Sequence, residues 1–396
     1  MNIAIIGTAY PFRGGLASFN ERLATEFQTQ GDVVQIYTFT LQYPNLVFPG
    51  KTQYSDSPAP TNLSIQATIN SINPISWWRT GKLIGESNPD LVICPYWLPF
   101  MSPALGTILK GIRKRSNCKI LSLVHNMIPH EPRIGDKRLS QYFVNQVDAF
   151  VTLSKSVKED VQQFAQNQPI AYISHPIYDN YGKLESKHIS RTHLSLPPDG
   201  KYILFFGFIR KYKGLDLLIK AMANPIIKDQ NIKLIIAGEY YGDQPFYENL
   251  MREMGVEAAI IKRTEFIPNE EVRYYFSAAD LVVQPYRTAT QSGISQLCYH
   301  FEKPMVVTDV GGLSEIVPNG KAGYVVKVEE TAIAQAILTF YKENKEHEFK
   351  ENIQALKKQF GWDKMVAGMK KLILSNDKTL TSTSGSILFQ SVKTKK

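Results

Sequence analysis

The segment Lys201–Met222, KYILFFGFIRKYKGLDLLIKAM, contains a strand, a loop and a helix in immediate succession. Tyr202–Phe206 is a short apolar run that ends at Gly207, and Leu215–Met222 repeats apolar residues at helical spacing. When this order recurs along a chain, it predicts a mainly parallel sheet covered by helices on both faces, because parallel strands need crossover connections.

The order recurs downstream of this segment. The sequence predicts strands at Lys233–Ala237, Leu281–Gln284 and Met305–Thr308, and helices at Phe246–Met254 and Ser292–Phe301. We therefore expect one Rossmann-like, doubly wound α/β domain over residues 200–360.

The order also recurs upstream, in residues 1–180. The sequence predicts strands at Asn2–Ile6, Val33–Phe39, Asp90–Cys94, Lys119–Val124, Ala149–Leu153 and Ile170–Ser174, with helices that include Ser102–Arg115 and Ser154–Ala165. These residues predict a first domain of the same α/β class.

Three segments depart from the alternation. Tyr43–Pro74 is rich in prolines and polar residues, and we interpret it as an insertion or a long loop on the first domain. Tyr178–Gly200, with its charged cluster and the turn sequence Pro197-Pro198-Asp199-Gly200, predicts the connection between the domains. Residues 375–396 are rich in Ser, Thr and Lys and predict a flexible tail.

The composition is that of a folded globular chain. Hydrophobic residues make up 43% of the 396 residues and charged residues 20%, which excludes disordered, collagen-like and coiled-coil classes. The 45 Lys and Arg exceed the 36 Asp and Glu, so the net charge is +9. This charge permits an anionic partner without identifying one.

The cysteines and the N-terminus bear on the compartment. Cys94, Cys118 and Cys298 form no C-x-x-C pair, so we expect neither a disulfide framework nor a zinc knuckle. No secretory signal sequence and no apolar run of about 18 residues is present. We therefore expect a cytoplasmic protein.

Three loops follow predicted strands and begin helices, where backbone N–H groups suit an anion. The first contains Gly14-Gly15, although its spacing departs from the G-x-G-x-x-G fingerprint, and a structural turn is the alternative. The second, Gly207–Leu215, carries Arg210, Lys211 and Lys213, which favours a diphosphate over a solvated basic loop.

The third loop region has two parts, Pro285–Ile294 and Asp309–Glu315. Both parts join a predicted strand to a helix, and their small and hydroxyl residues are typical of a phosphate cradle. A compact connection at Gly311-Gly312 is the alternative.

Together these loops resemble those of the GT-B glycosyltransferases, in particular glycosyltransferase family 4 (group 1). The motifs that carry the resemblance are YKGLDLLI at 212–219, IAGE at 236–239, QSG at 291–293, KPMVVT at 303–308 and GGLSEIV at 311–317. The resemblance implies two Rossmann-like domains that face a central cleft. It also implies, from FGWD at 360–363, a closing helix at 361–374 that returns to the first domain.

What the resemblance implies for function is transfer of a sugar from a nucleotide-sugar donor to a glycan or lipid-linked acceptor, with retention and without a metal or other cofactor. It places His125 at the transferred sugar, and it assigns donor binding to Gly15, Arg210, Lys213, Ser292, Gly293 and Glu315. Basic residues of the first half suggest peripheral contact with an anionic membrane. No aromatic signature of nucleic-acid binding accompanies them.

Two departures from the family pattern keep alternatives open. Phe208 stands where the family commonly has Arg, with Arg210 two residues later. The family's paired glutamates are replaced, by Thr288 or Ala289 and by Gln296 or Leu297. A GT-B nucleotide-sugar epimerase and a noncatalytic donor-binding subunit are therefore the alternatives, and a nicotinamide dehydrogenase ranks last.

Overall fold

Two parallel sheets organise the protein. A computed structural model describes residues 1–44, 52–55, 57–129 and 133–374, and the predicted tail at 375–396 lies outside these residues. The described part contains one sheet of seven strands and one of six, which confirms the predicted class of two doubly wound α/β halves.

The seven-stranded sheet has the strand order β3-β2-β1-β4-β5-β6-β7. Its strands are Asn2–Ile6 (β1), Val33–Leu41 (β2), Ser64–Asn70 (β3), Leu91–Tyr96 (β4), Lys119–Val124 (β5), Ala149–Thr152 (β6) and Ile170–Tyr172 (β7). The helices in this half are Gly15–Thr29 (α1), Pro74–Glu86 (α2), Ser102–Arg113 (α3), Asp136–Val144 (α4) and Lys155–Gln162 (α5).

The six-stranded sheet has the order β10-β9-β8-β11-β12-β13. Its strands are Lys201–Phe206 (β8), Ile232–Ala237 (β9), Ile260–Arg263 (β10), Leu281–Gln284 (β11), Met305–Thr308 (β12) and Gly323–Val326 (β13). The remaining helices are Lys187–His193 (α6), Leu215–Ala223 (α7), Pro225–Lys228 (α8), Gln244–Glu253 (α9), Asn269–Ala278 (α10), Gly293–His300 (α11), Gly312–Ile316 (α12), Glu330–Lys342 (α13), Glu346–Leu356 (α14) and Trp362–Leu374 (α15).

Burial explains why the central strands could be recognised in the sequence. Every residue of β4 and β11 is buried, because helices cover both faces of each sheet. The strand order reverses between β1 and β4 and again between β8 and β11. In open α/β sheets, ligands bind beyond the carboxyl ends of the strands at such reversals.

The segment Tyr43–Pro74 is not entirely a loop, so that interpretation was wrong for β3. Residues Ser64–Asn70 form this edge strand and pair in parallel with β2. Its residues are largely exposed or half-buried, so the strand lacks the continuous apolar run of a central strand. Within the same segment, residues 45–51 and 56 lie outside the described part.

Helix α15 packs on the first half of the protein. Lys370 Nζ lies 2.6 Å from Asp32 Oδ2, and Trp362 Nε1 donates to the carbonyl of Ile177 at 2.8 Å. The Trp362 ring also lies 4.9 Å from that of Phe19 on α1. Helix α15 thus covers helix α1. The division into domains at residues 180 and 200 stays a prediction. Among the described helices, none combines the length and the hydropathy needed to cross a bilayer.

We predict that Trp362→Ala lowers the free energy of unfolding by about 3–5 kcal/mol, because a buried indole with a satisfied N–H is lost. Trp362 is 3% exposed. Urea unfolding followed by circular dichroism measures the change. Trp78, which is 56% exposed, supplies the control, and Trp78→Ala should cost much less. Equal losses in the two variants would contradict the packing of α15.

Candidate active site

A cavity of about 390 Å³ lies between the two halves, beyond the carboxyl ends of both sheets. This volume falls within the usual range for small-molecule sites. The loops after β1, β5, β8 and β11 contribute to its wall. The residues that line it include Gly14, Gly15, His125, His175, Tyr178, Gly207, Phe208, Lys213, Glu239, Phe266, Tyr286, Gln291, Ser292, Gly293 and Leu297.

Lys213 supplies a buried positive charge to the cavity. It ends a short 3-10 turn after β8 and is 9% exposed. Burial, together with the charge of Arg210, lowers the pKa of the Lys213 ammonium to about 8. No carboxylate of the described residues forms an ion pair with it, so its charge is available to an anion in the cavity.

Gly207 makes room for this ammonium. Its φ is +96°, and a Cβ at this position would lie 3.1 Å from Lys213 Nζ. A side chain would therefore strain the backbone and crowd the lysine at once.

Two helix N-termini open onto the same cavity. Helix α1 begins at Gly15 and α11 begins at Gly293. The Ser292 hydroxyl caps α11 by accepting from Ile294 N at 3.2 Å, and it donates to Gln284 Oε1 at 2.7 Å. Because the side chain of Ser292 is already used, this loop offers backbone N–H groups and a positive helix end.

Tyr178 lies between these two helix starts. Its hydroxyl donates to the Gly15 carbonyl at 3.2 Å, and a Cβ on residue 293 would lie 2.7 Å from Tyr178 Cε2. Only glycine at position 293 allows the tyrosine ring to approach this closely. The approach fixes the spacing between α1 and α11.

His125 follows β5 and is 8% exposed. The Gln291 side-chain amide lies 3.4 Å from its Nδ1, a geometry in which the amide N–H donates and Nδ1 accepts. Burial, and secondarily the electrostatic influence of His175, lowers the pKa of His125 to about 3, so the ring is neutral. The hydrogen then sits on Nε2, which has no partner among the described residues.

A buried ion pair joins the two halves at the edge of the cavity. Arg13, in the loop after β1, pairs with Glu239, after β9, at 2.7 Å. Both side chains are at most 8% exposed, and the Arg13 guanidinium lies 3.9 Å from the centre of the Phe266 ring. Glu239 lines the cavity, but its charge is neutralised by Arg13.

Two of the predicted donor-binding residues lie outside the cavity wall. Arg210 is exposed, with its guanidinium 5.1 Å from the centre of the Tyr241 ring. The Glu315 carboxylate accepts from the backbone N–H of Lys155, at the first residue of α5, at 3.1 Å. Glu315 therefore joins the two halves through a helix N-terminus, and its role toward a donor stays a prediction.

The remaining predicted residues come together. His125, Gly15, Lys213, Ser292 and Gly293 all line the one cavity. No group of three or more His, Cys, Asp and Glu suited to a metal ion occurs in the described ranges.

At the positions of the replaced glutamates the wall is uncharged. Leu297 lines the cavity, whereas Gln296 is completely buried and its amide N and O have no partner within the described part of the chain. Phe208 lines the cavity and stacks on Tyr241 with ring centres 4.2 Å apart.

The sequence predictions did not single out several cavity residues. His175, Tyr178 and the Arg13–Glu239 pair are not among the predicted site residues, and Gln291 enters only as part of the QSG motif at 291–293. For His175 a signal existed, because it follows the last strand of the first sheet just as His125 follows β5. Glu239 belongs to the quoted IAGE motif, but no signal indicated its pairing with Arg13, since the two residues lie far apart in the chain.

Comparisons with known families identify the family of this chain. The model described as Glycosyl transferases group 1 matches residues 186–356, and the model described as Glycosyltransferase Family 4 matches residues 13–180. An uncharacterized glycosyltransferase of Methanocaldococcus jannaschii is 32% identical over 342 residues, which cover 80% of this chain and 83% of that relative. The chain belongs to the group 1, family 4 glycosyltransferases.

Other relatives of this glycosyltransferase are more distant. A D-inositol 3-phosphate glycosyltransferase of Corynebacterium aurimucosum is 26% identical over 258 residues, which cover 61% of this chain and 60% of that enzyme. The chain thus matches less than two thirds of that relative's length.

Solved structures show the same GT-B fold. Sucrose-phosphate synthase from Thermosynechococcus elongatus superposes with a TM-score of 0.71 at 16% identity, over 95% of this chain and 99% of the other. Anabaena HepE in complex with UDP and glucose gives a TM-score of 0.71 at 15% identity, over 95% and 100% of the two chains.

Because two histidines of this glycosyltransferase are buried and neutral, we predict that its free energy of unfolding falls in mild acid. Burial lowers the pKa of His125 to about 3 and that of His175 to about 4, so the unfolded chain takes up their protons first as the pH falls. Below pH ~6.5 each histidine should therefore cost about 1.4 kcal/mol of unfolding free energy per pH unit.

Urea unfolding of His125→Gln and of the wild-type protein between pH ~7 and ~5 measures this linkage. The variant should lose stability less steeply with falling pH. His347→Gln is the control, because the His347 side chain is 84% exposed. If His125→Gln and the wild-type protein gave parallel curves, the buried neutral state of His125 would be refuted.

Proposed function

We propose that this glycosyltransferase binds a nucleotide-sugar donor in the cavity and transfers the sugar to a glycan or lipid-linked acceptor. The observation that carries the proposal is the buried Lys213 ammonium, which lines the cavity without a carboxylate partner among the described residues. The UDP named with the structurally similar HepE supports a donor of this class.

The diphosphate of such a donor matches the charge of the wall. A buried ammonium without a counter-charge is costly, and an arriving diphosphate removes that cost. Gly15 and Gly293 add two positive helix ends to the same region. We place the diphosphate between Lys213 and these helix starts.

The sugar then lies toward His125. During transfer, the bond between the anomeric carbon and the diphosphate oxygen breaks, and its electron pair goes to the diphosphate. An acceptor hydroxyl oxygen bonds to the anomeric carbon, and its proton passes to the departing diphosphate. Lys213 and the helix ends stabilise the negative charge that develops, which is the part of the reaction that needs protein cations.

Retention at the anomeric carbon and independence of metal are parts of this proposal that rest on the family resemblance. In the proposal, Lys213 and the helix N-termini provide the stabilisation that a divalent cation provides elsewhere. Membership of the glycosyltransferase family does not favour the epimerase or the donor-binding subunit.

We expect the wild-type protein to be stabilised against thermal unfolding by one member of a panel of UDP-, GDP- and ADP-linked hexoses. A ligand at about 100 times its Kd adds about 2.7 kcal/mol. Lys213→Met, which keeps the length of the side chain and removes the charge, should weaken this binding about 10- to 100-fold, since a charge-assisted contact is lost.

Arg210→Met is the matched control, because it removes a positive charge that lies outside the cavity wall. Arg210 is exposed and lies outside the cavity wall, so we expect a smaller loss of affinity than in Lys213→Met. Stabilisation by no member of the panel, or unchanged affinity in Lys213→Met, would refute the donor site.

For His125 we expect an effect on the chemical step. His125→Ala should lower kcat more than it raises the donor Kd, because the diphosphate contacts remain intact. Single-turnover kinetics with saturating donor measure the transfer rate. An unchanged rate in a folded variant would place the His125 ring outside the reacting site.

A further inference from the structure

A second histidine faces the cavity from the connection between the two sheets. His175 follows β7, is 3% exposed and lines the cavity. It lies against Phe19, with ring centres 5.2 Å apart, on the same aromatic ring that His125 contacts at 5.1 Å. Nothing in the transfer chemistry described above uses it.

The hydrogen bonds of His175 determine which ring nitrogen carries the hydrogen. Its Nδ1 lies 2.7 Å from the carbonyl of Pro176, and a carbonyl can only accept. Nδ1 is therefore the protonated nitrogen. Burial lowers the pKa of His175 to about 4, so the ring is neutral and its Nε2 is a bare acceptor. No hydrogen bond to this Nε2 occurs within the described residues.

His125 presents the opposite polarity. Its Nδ1 faces the amide of Gln291, so its Nε2 carries the hydrogen and is a donor without a partner in the described part of the chain. One wall of the cavity thus offers a donor from His125 and an acceptor from His175. A sugar hydroxyl both donates and accepts, so it satisfies groups of this kind, whereas a phosphate oxygen cannot donate to His175.

We infer that His175 contacts the transferred sugar, that its Nε2 accepts a hydrogen bond from one sugar hydroxyl, and that it selects donors carrying that hydroxyl over their deoxy analogues. The inference rests on the proposed function, since it takes the cavity to hold a nucleotide sugar. It extends that function by assigning a specificity role to a residue in the connection between the sheets. A bare acceptor left unpaired in the complex with a deoxy sugar disfavours that complex.

Two substitutions separate a sugar contact from a purely structural role. His175→Asn keeps an N–H near the position of Nδ1, so it can still donate to the Pro176 carbonyl, but it lacks the distal acceptor. His175→Gln places an amide oxygen near the position of Nε2 and loses the donor at Nδ1. A structural role predicts that Asn is the better substitute, and a sugar contact predicts that Gln is.

The measurement is the Kd of the nucleotide sugar that stabilises the wild-type protein most, compared with the Kd of the matching nucleoside diphosphate. We expect His175→Asn to weaken binding of the nucleotide sugar by about 3- to 10-fold, as for the loss of one hydrogen bond. We expect nucleoside diphosphate binding to be unchanged. His175→Gln should retain most of the affinity for the sugar donor.

Monodeoxy analogues of the donor identify the hydroxyl. The loss caused by His175→Asn should vanish for the one analogue that lacks the hydroxyl in question. Equal weakening of nucleoside diphosphate and nucleotide sugar would overturn the inference, and so would a loss that appears only in the KM for the acceptor. If the wild-type protein bound no nucleotide sugar, the proposed function itself would fail, so the two failures are distinguishable.

Nitrogen-15 NMR of the wild-type histidine rings tests the same contact without a substitution, in case a variant does not fold. Addition of the nucleotide sugar should shift the resonance of the acceptor nitrogen of His175, and addition of the nucleoside diphosphate alone should not. Identical spectra with the two ligands would overturn the inference.

Discussion

The contact of Tyr178 with two glycines sets the distance between the halves of the molecule. The segment that carries this tyrosine is fastened to α1, because Tyr181 donates to Ser18 and Asp179 pairs with Arg22. On its other side, Tyr178 lies against Gly293 at the start of α11. Both helix N-termini therefore line one cavity, and the Tyr178 ring lies between them.

Among the described residues that line the cavity, Lys213 carries the dominant positive charge. Glu239, which lines the same cavity as Lys213, is already paired with Arg13 across the cleft. The rest of the wall is largely aromatic and aliphatic. In such surroundings an unpaired ammonium acts more strongly on an anion than it would at the surface. With Glu239 paired to Arg13, the Lys213 charge is left for the anion that the proposed function places in the cavity.

The alternation of strands and helices was sufficient to predict two doubly wound sheets, because buried parallel strands are continuous apolar runs. Strand β3 was not predicted for the same reason, because an edge strand with one exposed face has no continuous apolar run. Motifs were good guides to loop positions, and His125, Lys213 and Gly293 all line the cavity. Side-chain partners were not predictable, so the contact of Glu315 with α5 could not be foreseen.

The same limit applies to the histidines. A residue that follows a strand can be placed at the carboxyl edge of a sheet from sequence. Which ring nitrogen carries the hydrogen depends on a carbonyl or an amide supplied by the fold. For His125 that group is Gln291, from the other half of the chain, so its polarity is a property of the assembled cleft.

The position of α15 also bears on how the protein is made. The surface of α1 that Trp362 and Lys370 cover belongs to the first half of the chain, yet the covering helix is the last part of the described sequence to leave the ribosome. Until then the first half exposes apolar surface around Phe19. Native contacts between such distant residues close slowly, because the chain entropy of a long loop must be lost first. Completion of the first half therefore requires synthesis of α15, and a nascent chain that stalls before this helix exposes apolar surface that favours aggregation.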